Sequence, residues 1–269
     1  SKDSLSNAIL DLSCGKGGDL WKWQKANYNY VLGIDIDKKG IEINTDSKKG
    51  AKARFENAKN SDISSVRFWA QNSKVNFAVA DTSKNLRTLE GVDKSYEQVL
   101  GNIFKERKQN SFNVISSQFT IHYYFKSREI LEGFFKNVKE NIKLGGYFIV
   151  TTFDGDRIYN ALKKANKKDK VFINGLVYDE YKKEDVEIWN IKQTINTTLE
   201  YEKLPDTIEE GFGNEVSVQF SSIGGFHKEF LVNKKLLINI AAKFGLHIIS
   251  CKEATNNFNY LKEGTGLFK

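Results

Sequence analysis

Methionine is absent from this chain of 269 residues, and proline occurs only once, at Pro205. Average usage would supply about thirteen prolines in a chain of this length. The lack of any methionine, including at position 1, predicts that the chain is a piece of a longer protein. No apolar run approaches the roughly 20 residues of a membrane span, and the first residues lack a signal-peptide core. We therefore expect neither membrane insertion nor secretion.

Cysteine is scarce as well, with only Cys14 and Cys251 in the chain. One lies in a glycine-rich turn and the other in a late apolar stretch, so we expect two reduced thiols in a reducing compartment. The rest of the composition suits a folded protein, because 40% of the residues are hydrophobic and 13% are aromatic. The length fits one large α/β domain or two small ones.

Positive charge exceeds negative charge, since 41 Lys and Arg against 34 Asp and Glu give a formal net charge of +7. A polyanionic partner such as nucleic acid suits this excess. Basic proteins also carry such charge for solubility alone, so both interpretations stay open. We expect the lysine-rich stretch 163–170 to be a solvated helix face.

Apolar runs of strand length recur along the first part of the chain, with helical patterns between them. The runs are residues 8–12, 30–34, 75–79, 112–116 and 147–152. Alternation of this kind predicts an α/β fold with a parallel sheet flanked by helices. The segment 38–59 has the length of a helix but is only weakly amphipathic.

The pattern changes after residue 152. Strand-like pieces at 171–177 and 215–220 predict a β-rich insertion, about residues 165–230, within a single domain that spans residues 1–269. A last amphipathic helix, 236–244, leads into 246–251, which we expect to return to the sheet as a strand.

A glycine-rich turn, DLSCGKGGD from Asp11 to Asp19, follows the first predicted strand. Glycines such as Gly15 let backbone amides approach a ligand at the carboxyl edge of a parallel sheet. The second strand ends at Asp35, whose carboxylate could accept hydrogen bonds from both ribose hydroxyls of an adenosine. A structural turn around a buried cysteine is the alternative.

The residues missing from this turn narrow the choice of ligand. Leu20 stands at the third glycine position of a dinucleotide-binding motif, and Lys16 is not followed by the Ser or Thr of a phosphate loop. An acidic strand end at Asp11 suits a ligand with an amino group. S-adenosylmethionine (SAM) has an ammonium group, a ribose and an adenine but no phosphate, so we expect it as the cofactor. Asp81 could accept from the adenine amino group, although Asp at a strand end is more often a turn or helix cap.

A second informative stretch, SSQFTIHYYF at 116–125, follows the fourth strand. It concentrates an amide, a histidine and aromatic rings at the sheet edge beside the expected cofactor. Aromatic rings can frame a flat base, while Gln118 and His122 offer directional hydrogen bonds. An aromatic core with a satisfied histidine is the alternative.

Together these segments resemble the mRNA cap (guanine-N7) methyltransferases. The resemblance is carried by DLSCGKGGD, GID at 33–35, ISSQFTIHY at 115–123 and GGYFI at 145–149, with a weaker match in KEFLV at 228–232. It implies the Rossmann-like fold of SAM-dependent methyltransferases, with a mainly parallel sheet of seven strands. It also implies a source in a large DNA virus, with the chain as the methyltransferase part of a longer capping enzyme.

The resemblance implies roles for single residues. The residues expected at the SAM site are Asp11, Ser13, Gly15, Asp35, Asp81, Gln118 and Tyr123. Basic positions near the cap phosphates correspond to Lys16 and Lys22. The guanine pocket corresponds to Phe119, His122 and Tyr123, with Glu229 as the acidic residue that recognises the guanine edge.

The implied reaction moves a methyl group from SAM to guanine N7 of the 5′ GpppN cap. N7 already holds an in-plane lone pair, so in-line displacement needs no catalytic acid, base or metal. Two alternatives stay open: a SAM enzyme acting on another substrate, and a non-catalytic methyltransferase-like subunit that binds RNA or regulates a partner.

The implied partners are the capped 5′ end of mRNA and triphosphatase and guanylyltransferase modules in the same chain or a partner subunit. The implied location is intracellular. It is the cytoplasm, in a viral factory or virion, for a viral protein, and the nucleus for a cellular one.

Overall fold

The computed structural model describes residues 7–221 and 224–249. Within these residues a central parallel sheet contains β1 (Ala8–Leu12), β2 (Tyr30–Asp35), β3 (Lys74–Val79), β4 (Phe112–Gln118) and β5 (Ile142–Thr151). The strand order is β3-β2-β1-β4-β5, so the chain switches sides of β1 between β3 and β4. At such a switch point the carboxyl ends of the strands leave a crevice.

Helices flank the sheet, as the alternating sequence pattern predicts. They are α1 (Leu20–Lys25), α2 (Lys38–Glu42), α3 (Ala51–Ala58), α4 (Ser64–Asn72), α5 (Glu97–Glu106), α6 (Ile121–Tyr124), α7 (Arg128–Asn141), α8 (Gly155–Asn166) and α9 (Lys234–Lys243). Two short 3₁₀ turns, Leu86–Thr88 and Lys94–Tyr96, precede α5. No helix in the described ranges is long and apolar enough to cross a membrane.

A second sheet follows α8 and is antiparallel. Its strands are β6 (Phe172–Asp179), β7 (Glu184–Gln193), β8 (Glu215–Phe220) and β9 (His227–Phe230), in the order β6-β7-β8-β9. All four lie within the β-rich insertion expected at about 165–230. The inward residues Ile191, Val216 and Val218 form a small core with Tyr159 and Leu162 of α8.

The main core lies between the central sheet and its helices. All five residues of β1 are buried, as expected for a parallel strand covered on both faces. On α7, Leu131, Phe134, Phe135 and Val138 are buried against the sheet. The apolar residues of α7, spaced three and four apart, therefore form the face that this helix buries.

Three details differ from the sequence-based expectations. The segment 38–59 forms two helices, α2 and α3, because the chain folds back at Gly50, where an added Cβ would lie 2.6 Å from the Gly40 carbonyl oxygen. Residues 246–249, expected to begin a returning strand, are not in a strand, and Cys251 lies outside the described residues. In the described part of the chain the central sheet has five strands, so seven are not confirmed.

A buried asparagine fastens the loop after β3 to α7. The Asn137 amide group donates to two carbonyl oxygens of this loop, at 2.8 and 2.6 Å, and its oxygen accepts from the backbone N–H of Leu86 at 3.0 Å. One turn earlier Gly133 permits this close approach, since a Cβ there would lie 2.0 Å from the Ser83 carbonyl oxygen. Asp81 opens the same loop, so α7 helps to position it.

Replacing Asn137 with Ala should lower the free energy of unfolding by at least about 2 kcal/mol. The change leaves buried backbone groups without partners, and each such group costs roughly 1–3 kcal/mol. Urea unfolding followed by circular dichroism measures the difference. The exposed Asn57, replaced with Ala on α3, is the control and should change stability by less than about 0.5 kcal/mol. Equal losses in the two variants would show that the Asn137 hydrogen bonds do not stabilise the loop.

Candidate functional site

Three carboxylates lie at the carboxyl edge of the central sheet. Asp11 is near the end of β1, Asp35 is the last residue of β2, and Asp81 follows β3 by two residues. These strands are adjacent and parallel, so their ends meet at one edge. The structure thus brings together the acidic residues that the strand ends predicted.

Asp11 is buried, and the side chain of Trp23 is its one nearby hydrogen-bond donor among the described residues. Burial raises the pKa of Asp11 well above its ordinary value, and the negative charges of Asp19 and Asp35 raise it further, whereas Lys22 and the Trp23 hydrogen bond oppose the rise. A buried carboxylate with so little compensation is costly. A cationic group of a ligand would therefore be strongly favoured beside Asp11.

The glycine-rich turn is tied to the end of β2. The backbone N–H groups of Ser13 and Cys14 both donate to the Ile34 carbonyl oxygen, at 2.8 and 3.0 Å. The Gly15 N–H donates to the Asp35 carboxylate at 2.7 Å. Gly15 has a φ of +53°, and an added Cβ would meet no atom within 4 Å. The turn therefore presents bare backbone to open space beside Asp35, where a ligand can approach closely.

Tyr124 links two loops of this edge, a role that the sequence did not reveal. Its hydroxyl lies 3.0 Å from Ser13 Oγ and also contacts the hydroxyl of Thr82. Burial raises the pKa of Tyr124 to about 12, so the group stays a neutral hydrogen-bonding hydroxyl. Ser13 has a φ of 116°, which L-residues rarely adopt, and the contact with Tyr124 helps to hold it there.

Asp81 and Gln118 are partly engaged by their own neighbours. One oxygen of Asp81 accepts from the backbone N–H and the hydroxyl of Ser83, at 2.9 and 2.7 Å. This oxygen therefore caps the turn after β3, which was the alternative role for Asp81. The Gln118 side chain accepts from the Thr151 hydroxyl at 3.0 Å and donates to Ser116 Oγ at 3.1 Å. These contacts fix the direction of both side chains at the sheet edge.

A row of aromatic rings extends from this edge to the antiparallel sheet. Phe119 lies 5.6 Å from Phe153, measured between ring centroids, and Phe153 stacks on Phe220 at 5.4 Å. His122 lies 4.2 Å from Tyr123 and 6.3 Å from Phe153. The sequence analysis singled out neither Phe153 nor Phe220. The position of Phe153 directly after β5, at the same edge, is the signal that could have found it.

Glu229 faces His122 across the gap between the two sheets. Its Oε1 lies 3.6 Å from His122 Nε2, and both side chains are buried. Burial raises the pKa of Glu229 to about 7 and lowers that of His122 to about 4. Neither ring nitrogen of His122 has a hydrogen-bond partner in the residues described. The cavity beside them measures about 10 Å³, room for about one water, so a flat base requires these side chains to separate.

Tyr123 packs against His122, with ring centroids 4.2 Å apart. Its side chain is 47% exposed. Burial raises its pKa, and the negative charges of Glu229 and Asp35 raise it further. The ring is therefore within electrostatic range of both carboxylates, and its expected roles in both halves of the site stay predictions.

The two lysines expected near phosphates lie at the corner between the glycine-rich turn and α1. Lys16 is exposed in the turn. Lys22, also exposed, lies 2.6 Å from the Asp19 carboxylate. Lys16 is therefore accessible to a mobile anionic ligand, whereas Lys22 would exchange its contact with Asp19 for one.

Comparisons with known proteins agree with this geometry. A model of the mRNA (guanine-N(7))-methyltransferase domain matches residues 1–265. A probable mRNA-capping enzyme of Acanthamoeba polyphaga mimivirus is 29% identical over 265 residues, which are 94% of this chain and 20% of that protein. The mRNA cap guanine-N(7) methyltransferase of Drosophila melanogaster is 26% identical over 90% of this chain and 46% of that protein. The chain therefore spans less than half the length of these relatives.

One solved structure shows the likeness of fold. The CcbJ methyltransferase from Streptomyces caelestis matches 91% of this chain and 74% of its own, with a TM-score of 0.50 and 13% sequence identity. At this identity the match concerns the fold alone, and it confirms the methyltransferase fold expected from the sequence.

Replacing Glu229 with Gln should stabilise the protein at pH 8 but not at pH 4. The ordinary pKa of the carboxyl group is 4.5 and the folded value is about 7, so folding disfavours the ionised form. This penalty is absent below pH 4.5, grows as the pH rises to about 7, and is complete above it. We expect a gain of about 2–3 kcal/mol at pH 8, somewhat below the full 1.4 kcal/mol per pKa unit because the group is not wholly dry.

Urea unfolding of the two proteins at both pH values measures this difference. The exposed Glu202, replaced with Gln, is the control and should leave stability nearly unchanged at both. A Glu229→Gln variant that is less stable than the original protein at pH 8 would show that the buried carboxylate is well compensated.

Proposed function

The chain belongs to the mRNA (guanine-N7)-methyltransferase family, and on that premise we propose that it transfers a methyl group from SAM to N7 of the guanine that caps mRNA. The observation that carries this proposal is the two-part site. Buried Asp11 lies at one end, the Glu229 and His122 pair lies at the other, and the Tyr123 ring lies 4.2 Å from His122. The chain covers less than half the length of these relatives, so we propose its activity, its substrate and its partners rather than take them from the relatives.

The acidic edge, which is the carboxyl edge of the central sheet with Asp11, Asp35 and Asp81, has the groups that SAM requires. The family and the fold indicate SAM as the methyl donor, and when bound it supplies a methyl group on a positively charged sulfur. The buried carboxylate of Asp11 would pair with the ammonium group. Asp35 retains lone pairs for the ribose hydroxyls, and the open backbone at Gly15 admits the ligand. Ser13, Asp81 and Gln118 would line the rest of the cofactor site.

The other half has the groups that guanine requires. Guanine presents its N1–H and its amino group side by side, and one ionised carboxylate can accept from both. Glu229 is placed for this role, while Phe119, His122 and Tyr123 would frame the ring. The buried site strengthens the charge-assisted hydrogen bonds, because water does not compete for them. Lys16 and Lys22 would attract the cap phosphates.

Alignment would supply most of the rate acceleration. Guanine N7 already has a lone pair, so no side chain has to remove a proton before attack. Holding the nucleophile in line with the methyl group can lower a barrier by roughly 7–11 kcal/mol in favourable cases. Positive charge moves onto the purine during the transfer, and the Glu229 carboxylate would stabilise that charge.

The longer relative suggests how the chain is used. The mimivirus protein is named a probable mRNA-capping enzyme, and the matched part is one fifth of it. We infer that this chain is likewise the methyltransferase part of a capping enzyme from a large DNA virus, with triphosphatase and guanylyltransferase modules in the same chain or a partner subunit. A viral factory or virion in the cytoplasm is the corresponding location, and the nucleus is the location for a cellular protein.

Substitutions in the two halves should have separable effects. Glu229→Ala should reduce methyl transfer to the dinucleotide GpppA by about 100-fold or more, because the guanine edge loses a charged acceptor. Its affinity for SAM should stay within about twofold of the original. Asp35→Ala should instead weaken SAM binding by about tenfold or more, because the ribose loses its acceptor.

Transfer of a labelled methyl group and calorimetric titration with SAM measure the two effects. Glu202→Ala is the matched control for loss of a carboxylate and should alter neither. Full activity in Glu229→Ala would mean that guanine is recognised elsewhere, and absence of transfer by the unmodified protein would refute the proposed function.

A further inference from the structure

A groove lies beside the glycine-rich turn, among the neighbouring helices. None of the residues proposed for the SAM site or the guanine pocket lines it. Its volume is about 420 Å³, which is within the usual size range of ligand sites. It lies among α1, α3 and α4 and reaches the turn at Gly17. Leu20, Val66 and Trp69 contribute apolar surface to it, and all three are buried.

The groove is lined by polar side chains that are available to a ligand. Gln24, Asn57, Asn60 and Asp62 line it, and none of these side chains hydrogen-bonds to another residue in the described part of the chain. Amide groups combine donors with acceptors. This lining can therefore meet the edges of different nucleobases without selecting one strictly.

An aromatic ring and a guanidinium complete the lining. Trp21 is 52% exposed, so much of its indole surface is accessible. Arg54 uses its Nε to donate to the Lys49 carbonyl oxygen at 3.1 Å and forms no ion pair with a carboxylate that the structure describes. Exposed indoles stack on nucleobases, and free guanidinium groups bind phosphate.

We propose that this groove binds the first transcribed nucleoside of capped RNA, the one across the triphosphate from the cap guanine. The inference rests on the proposed function. Lys16 directly precedes Gly17 and Lys22 directly follows Trp21 in the sequence. The two lysines that we propose for the cap phosphates are therefore the sequence neighbours of two residues that line the groove, so an RNA chain bound by these lysines would have the indole within reach.

The expected recognition is tolerant of sequence. Stacking on Trp21 works with any base, because every base has a flat face. The groove thus adds affinity for capped RNA over a free guanine nucleotide, while the base identity matters little. This differs from the guanine pocket, where the buried Glu229 selects one base edge.

The test compares two ligands that differ by the second nucleoside. The dissociation constants of GpppA and GTP are measured by calorimetry with S-adenosylhomocysteine present, for the unmodified chain and for Trp21→Ala, Trp21→Phe and Phe68→Ala. Phe68 is an exposed aromatic on α4, 70% accessible, that does not line the groove. Trp21→Ala should weaken GpppA binding by roughly fivefold or more, the loss of one base stack, and should leave GTP binding unchanged. Trp21→Phe and Phe68→Ala should bind both ligands with nearly the affinity of the unmodified chain.

A second measurement uses the unmodified chain and so does not depend on the folding of a variant. GpppA with 8-azidoadenosine as its second nucleoside is cross-linked by light, and the modified peptides are identified. Cross-links within 17–24 or 54–62 support the groove. Cross-links only in other segments overturn the inference, as does a Trp21→Ala variant that loses no affinity for GpppA or loses equal affinity for both ligands. If the unmodified chain methylates neither GTP nor GpppA, the proposed function itself fails.

Discussion

The site depends on carboxyl groups that are buried with little electrostatic compensation. Asp11 is buried beside the side chain of Trp23, and Glu229 faces a neutral imidazole at 3.6 Å. Burial raises the pKa of both carboxyl groups, which is a cost in folding free energy. A ligand that supplies a cation to one and two N–H donors to the other would recover that cost on binding. The same burial that costs folding free energy would therefore favour ligand binding.

The rest of the fold holds these groups in place. Tyr124 connects the glycine-rich turn to the loop after β3, and Asn137 fastens that loop to α7. The aromatic row through Phe153 and Phe220 joins the central sheet to the antiparallel sheet that carries Glu229. The insertion therefore supplies one wall of the site, while the methyltransferase fold supplies the other.

The sequence predicted the central fold and the acidic edge, because both follow from local patterns. Buried parallel strands read as apolar runs, and Asp11 and Asp35 lie where those runs end. The stacking of Phe153 on Phe220 joins segments far apart in the chain, and no local pattern indicates which distant rings will meet. Tyr124 was overlooked for a similar reason, since its partners lie on two other loops. The pairing of His122 with Glu229 was not predicted, because the local sequence indicated His122 alone and only the family resemblance indicated Glu229.

Proton release on cap binding tests the central claim most directly. Calorimetric titration of the protein with GpppA is carried out at pH 7 in two buffers with different heats of ionisation. Because the pKa of Glu229 is raised to about 7, binding that requires its ionised form should release about half a proton at pH 7 and almost none at pH 9. Binding heats that are the same in both buffers at pH 7 would contradict the account, since guanine would then bind without ionising the buried carboxyl group.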